Sequence, residues 1–198
     1  MRVTIFDYGA GNLHSLVKAL SSPNVDVRLE TDPARLPSTD VLVLPGVGAF
    51  GSASARLAPA RDRVRTALLN GLPCLGICLG MQLLFDASDE GPGAGLGVAA
   101  GRVRRLTAQS VPQIGWNTVE SASESLLDAS GLRSAYFANG FVCEPACRDV
   151  VRAWSTHETD RFPTMVRVER TVGVQFHPEK SSRAGVSFVQ AFLEEARA

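Results

Sequence analysis

A cysteine and a distant histidine–carboxylate pair are the residues here whose types and spacing can do covalent chemistry. Leu75-Gly76-Ile77-Cys78-Leu79-Gly80 spells a nucleophile elbow, the Gly-x-Ser-x-Gly pattern with cysteine in place of serine. The nucleophile of an elbow sits on a tight strand-to-helix turn, so bulk must be absent on either side, as at Gly76 and Gly80. The turn aims Cys78 outward at the head of a helix, where the dipole and free backbone N–H groups favour thiolate over thiol. The N–H of Leu79 then points where an oxyanion would form. Taken alone, the string also fits a buried cysteine in a tight turn.

Val172-Gly173-Val174-Gln175-Phe176 reads as a strand, and His177-Pro178-Glu179 terminates it. In extended backbone, residues two apart project to the same side. Glu179 is thereby able to hydrogen-bond one ring nitrogen of His177 and leave the other facing a thiol. Nucleophile, base and orienter together make acyl transfer through a thioester. A structural histidine held by a carboxylate is the plainer alternative, and the elbow cysteine weighs against it. His14 and His157 have no such context; His157, in Ser155-Thr156-His157-Glu158-Thr159-Asp160, reads as a solvated loop residue.

A third string, Leu44-Pro45-Gly46-Val47-Gly48-Ala49-Phe50, follows an apolar run. Its glycines let the backbone N–H groups of Val47 and Gly48 turn toward an oxyanion, although a generic Gly-rich turn has the same composition. Asp7-Tyr8-Gly9-Ala10-Gly11-Asn12 begins like a dinucleotide fingerprint, but His14 stands where the third glycine belongs, and nucleotide binding is rejected. Cys74-x3-Cys78 and Cys143-x3-Cys147 lack the tighter pairs of zinc sites, so no metal is expected.

The elements that must hold these residues alternate. Residues 2–6, 25–29, 40–44 and 73–77 read as strands; 11–20, 53–70 (bent near Pro59) and a run opening at 79–85 read as helices. That alternation implies right-handed crossovers and an open, mostly parallel sheet flanked by helices, an α/β fold. In such sheets ligands bind at the carboxyl ends of strands, where the loops after the third and fourth strands would face each other. The second half is richer in short β segments, at 98–106, 114–120, 133–137, 150–154, 164–168 and 171–176, expected to add an antiparallel β extension before a closing helix at 187–196. Gly91-Pro92-Gly93-Ala94-Gly95-Leu96-Gly97 is a surface loop too close to the strands to split domains, so residues 1–198 form one domain.

The 198 residues carry 20 basic and 20 acidic side chains. A neutral balance argues against nucleic acid or an anionic membrane as the main partner. No stretch approaches the roughly 18 apolar residues of a membrane helix, and Asp7 cuts short the first apolar run. Reduced thiols in a cytoplasmic location are the expectation.

Taken together, these strings resemble the class I, triad-type glutamine amidotransferases, in order from residue 7 to 181. The resemblance adds Ile114-Gly115-Trp116-Asn117 and the continuations Met81-Gln82-Leu83-Leu84 and Lys180-Ser181. The elbow and His-Pro-Glu mark the family. Pro-Gly-Val-Gly and the Asp-Tyr-Gly-x-Gly-Asn start are narrower, similar to the branch that feeds ammonia to a cyclase subunit in histidine biosynthesis. The glutaminases of pyridoxal phosphate synthesis are a less similar branch, because of the Pro-Gly-Val-Gly loop. A non-catalytic protein on this fold would need no His177-x-Glu179 pair.

The resemblance implies that Cys78 attacks the glutamine side-chain amide, His177 shuttles protons and Glu179 orients His177. It implies oxyanion and glutamine contacts at Val47, Gly48, Leu79 and Gln82, and no cofactor. It also implies a heterodimer with a (β/α)8-barrel cyclase that meets Asn12, Trp116, Asn117 and Lys180. Two places depart from the family: Tyr136-Phe137-Ala138-Asn139-Gly140-Phe141 replaces the usual Tyr-Phe-Val-His-Ser-Tyr, and Gln113 replaces a frequent histidine.

Overall fold

A computed structural model of the chain describes residues 1–9, 11, 13–121 and 123–198. β1 (Arg2–Phe6) leads through α1 (His14–Leu20) to β2 (Asp26–Glu30), and β3 (Val41–Leu44) follows. Next come α2 (Phe50–Leu57) and α3 (Arg61–Leu69), separated by a tight helical turn at Ala58–Ala60. Pro59, which has no N–H to continue the ladder, sits in that turn. β4 (Cys74–Ile77) then runs into α4 (Leu79–Gln82), a single helical turn where a longer helix was expected.

The second half holds β5 (Ala87–Ser88), β6 (Gly101–Arg105), β7 (Gln113–Thr118), α5 (Ser125–Ser130), β8 (Ser134–Asn139) and β9 (Phe141–Pro145). β10 (Val151–His157), β11 (Asp160–Val168), β12 (Thr171–Val174) and α6 (Ser182–Arg197) complete it.

The main sheet has the order β10-β11-β12-β4-β3-β1-β2. From β2 to β12 neighbouring strands are parallel, and β11 and β10 add an antiparallel edge. Two smaller sheets, β5-β6-β9 and the β7-β8 pair, complete the extension. The apolar runs are continuous because each inner strand is covered on both faces, with β3, β4 and β12 buried at every residue. Alternate residues take alternate faces. Val3, Ile5, Val41, Val43, Leu75 and Ile77 pack with Leu16 of α1 and Phe188 and Phe192 of α6. Phe6, Leu42, Leu44 and Cys74 pack on the other face with Phe50 and Leu57 of α2 and Val64 and Leu68 of α3.

α6 begins earlier than the sequence suggested, and buries Gly185, Phe188, Val189, Phe192 and Leu193 as one stripe. Phe188 meets Phe176, which meets Phe137 of β8, with ring centroids 5.6 and 6.1 Å apart. This aromatic wedge lies directly beneath residue 177. His157 is not a loop residue: it closes β10, and its Nε2 lies 2.9 Å from the Ser110 carbonyl. Among the described residues, no helix is long and apolar enough to cross a membrane.

Candidate active site

Parallel pairing of β4 with β12 places the elbow beside the histidine strand. The register matches Cys74 with Thr171 and runs to Ile77 with Val174. One step further, the Cys78 N–H donates to the Val174 carbonyl at 2.7 Å. At Cys78 the chain turns abruptly into α4, with φ +48° and ψ −104°. An L-residue in that region costs of order 1–3 kcal/mol and persists only where its surroundings fix it. The flanking glycines show what fixes it. A Cβ on Gly76 would stand 2.7 Å from the Gly80 carbonyl oxygen, and one on Gly80 would collide with the Leu44 carbonyl. The elbow and the end of β3 therefore touch main chain to main chain.

His177 is 3% exposed, and its Nδ1 pairs with Glu179 Oε1 at 2.8 Å. Burial works against the imidazolium. Hydrogen bonds to Cys78 and Glu179, with the charges of both, outweigh it and raise the His177 pKa from its ordinary 6.5 to about 9. The histidine main chain is held as firmly. Its N–H donates to the Tyr136 carbonyl at 2.8 Å; Ser181 Oγ accepts from the Tyr136 N–H at 2.9 Å and donates to the His177 carbonyl at 2.7 Å. Both backbone groups of His177 are thus tied to one residue of β8.

The loop after β3 closes the third side. A Cβ on Gly46 would lie 2.9 Å from His177 Cε1 and 3.0 Å from Cys78 Cβ, so this loop abuts Cys78 and His177 together. Val47 and Gly48 follow, Gly48 at φ +99°. A Cβ on Gly11 (φ +79°) would meet Val47 Cβ at 2.8 Å, so the loop after β1 backs the loop after β3. Gln82, buried on α4, donates from Nε2 to the Phe141 carbonyl at 3.2 Å, and Asn139 Nδ2 donates to the same oxygen at 3.1 Å. Gln113 and Asn139, at two of the departures, are cross-strand partners and both buried.

The structure brings together Cys78, His177 and Glu179 with Val47, Gly48, Leu79 and Gln82 around the carboxyl ends of β3, β4 and β12. Trp116 and Lys180 lie apart from the nucleophile, on the outside. Trp116 is 57% exposed and pairs across the hairpin with Tyr136, whose ring lies 5.9 Å from Lys180 Nζ. Asn117 turns inward, its Nδ2 donating to the Thr156 carbonyl at 2.9 Å. Asn12 lies outside the described residues.

Sequence reasoning used Gly46 only to free the loop's N–H groups, and gave Ser181 and Gln175 no role of their own. The last had a signal only in its string, where it stands two residues before His177. Two of the other cysteines do not compete: burial pushes the Cys74 and Cys143 thiols well up, the nearby Cys78 adding to the effect on Cys143, whereas Cys147 is exposed.

Comparison with known proteins gives a consistent likeness. The sequence profile of the family described as glutamine amidotransferase class-I matches residues 4–196. Imidazole glycerol phosphate synthase subunit HisH of Pyrococcus furiosus is 40% identical over 195 residues, covering 96% of this chain and 97% of that protein. The protein of the same name from Symbiobacterium thermophilum is 44% identical over 192 residues, with coverage of 93% and 90%. Among solved structures, a glutamine amidotransferase superposes with a TM-score of 0.75 at 20% identity, over 99% of each chain. Another, from Thermotoga maritima, gives 0.67 at 21% identity, over 100% of this chain and 84% of that one. At those identities the structural likeness is one of fold.

Proposed function

Because the chain belongs to the class-I glutamine amidotransferase family, we propose that Cys78, His177 and Glu179 hydrolyse the side-chain amide of glutamine, the chain serving as the glutaminase subunit of an imidazole glycerol phosphate synthase. The observation that carries the site assignment is the strained, left-handed Cys78 lying beside a histidine whose far nitrogen is held by Glu179.

In this reading the Cys78 thiolate adds to the amide carbon of glutamine. Negative charge moves to the carbonyl oxygen, which the Leu79 N–H at the head of α4 and a turned-in N–H of the Val47–Gly48 loop receive. His177 donates its proton to the nitrogen, and the C–N bond breaks to release ammonia and leave a thioester. His177 then takes a proton from water, which attacks the same carbon. The C–S bond breaks with its electron pair returning to sulfur, and glutamate departs. Gln82 and the Gly140–Phe141 main chain hold the amino acid, so the side-chain hydroxyls absent at 140 and 141 are not required.

The ammonia passes to a cyclase subunit of (β/α)8-barrel type, which adds it to a phosphoribulosyl imidazole-carboxamide precursor. The products are imidazole glycerol phosphate and an aminoimidazole carboxamide ribotide, in histidine biosynthesis. Exposed Ile114 and Trp116 on the β7–β8 hairpin, with Lys180 beside them, support a docking face there. The four cysteines are free thiols, in keeping with a reducing cytoplasm.

The test uses the chain alone, with its cyclase, and with cyclase plus an acceptor analogue. Glutamine hydrolysis should rise from the first to the third. A glutamine-mimicking electrophile should add to Cys78, as located by mass spectrometry. Cys78→Ala and His177→Ala should abolish glutamine-driven synthesis while added ammonia restores it. Labelling at Cys147 instead, or synthesis that ammonia fails to restore, would overturn this division of roles.

A further inference from the structure

The register that seats Cys78 beside β12 also gives it a neighbour that the mechanism above does not use. Gln175 follows Val174, the last paired residue of β12, as Cys78 follows its partner Ile77. Its main chain is fixed there, the N–H donating to the Thr164 carbonyl at 2.9 Å. Gln175 and His177 lie just past the end of β12, and both buried side chains reach Cys78. Gln175 is fully buried, and its Nε2 lies 3.5 Å from Cys78 Sγ, an ordinary N–H···S separation. At the other end of the amide, Oε1 has no hydrogen-bond partner among the described residues. A buried glutamine that leaves its carbonyl unpaired while meeting a sulfur is poorly explained as core filling, because a buried unpaired acceptor is unfavourable and an apolar side chain would avoid it.

Resting on the assignment of Cys78 as the nucleophile, we propose that Gln175 is a further catalytic residue, whose amide N–H donates to Cys78 Sγ and stabilises the thiolate. The chemistry follows from what sulfur can accept. A thiolate has lone pairs and no proton, so it takes a hydrogen bond from Nε2; a thiol would donate to Oε1 with the amide reversed. The raised pKa of His177, to which the charge of Cys78 contributes, suits the first arrangement. The contact weakens when sulfur bonds to the amide carbon and becomes a neutral thioester. It is regained when water has added and the C–S bond breaks, returning the electron pair to sulfur. Gln175 therefore assists departure of sulfur in the second half of the cycle and keeps the free enzyme charged for the first.

The variant Gln175→Met keeps length and apolar bulk but removes the donor. The probe is iodoacetamide, followed as the rate of carboxamidomethylation at Cys78 by mass spectrometry across pH, with thiolate absorbance near 240 nm as a second signal. A hydrogen bond to a charged group predicts that the pH midpoint moves upward by about one unit, with alkylation about tenfold slower below both midpoints. Gln175→Asn withdraws the donor by one methylene and should move the midpoint in the same direction. It carries the test if circular dichroism finds Gln175→Met unfolded. A midpoint that stays or falls in the folded variant would overturn the proposal, a fall meaning that Oε1 had been accepting from a thiol. Failure of the unmutated chain to react at Cys78 would overturn the site assignment itself, and this proposal with it.

Discussion

A His177 pKa raised to about 9 suits the role proposed for it, that of an acid at neutrality ready to protonate the departing nitrogen. For the complex with its cyclase, kcat/KM for glutamine should fall on the alkaline side through about pH 9. That limb belongs to the coupled Cys78–His177 pair and not to one residue. Glu179 is one of the groups that raise this value, so Glu179→Gln should move the limb to lower pH. It should also retain about a hundredfold more activity than His177→Ala, as loss of the orienter does in one serine protease series. Rate profiles across pH check both, and an alkaline limb unmoved in Glu179→Gln would remove Glu179 from its role. The same group affects stability with a definite sign. A pKa raised on folding contributes stability that is fully present below the unfolded value of about 6.5 and is lost as pH rises through about 9.

Elements meet at this site without side chains between them. Gly80 lets α4 rest on the Leu44 carbonyl, whereas Gly46 lets the following loop rest on His177 and Cys78. The two glycines should therefore fail differently. Gly80→Ala must push β3 and α4 apart and should lower stability by about 3 kcal/mol, as overpacking against immovable main chain does. Gly46→Ala should leave the urea midpoint nearer to that of the parent but greatly reduce glutamine hydrolysis. Full activity in Gly46→Ala would mean that the loop can retreat without consequence for the pair. These contacts also explain what the sequence disclosed. Cys78, His177 and Glu179 were legible because each lies in a short string whose local geometry dictates its neighbours. The inner strands were legible as apolar runs, and their extents moved by only a few residues. α5 and β9 were not anticipated: Ser125–Ser130 is too short for a helical period to register, and Phe141–Pro145 ends in a proline. The roles of Ser181, Tyr136 and Gly46 arise from backbone contacts between distant segments, which no residue type announces.

At the scale of the molecule, one sheet divides two cores and carries the site on the carboxyl ends of its central strands. The exposed side of the β7–β8 hairpin presents Ile114 and Trp116, 68% and 57% exposed. Tyr136 of that strand pair accepts from the His177 N–H, so the docking face proposed above lies one hydrogen bond from His177. Lys18 and Lys180 line a cleft of about 500 Å³ with Glu179, on the other side of the same turn. Against this well-packed framework stands the backbone of residue 78, left-handed at φ +48°. Glycine adopts that conformation freely and alanine does not. Cys78→Gly should therefore melt above Cys78→Ala by about 2–4 °C, the reverse of the usual order inside regular structure and readable by calorimetry. With Cys78 as the proposed nucleophile, chemistry and fold make opposite demands on one backbone angle: glycine would relieve the strain and end the reaction.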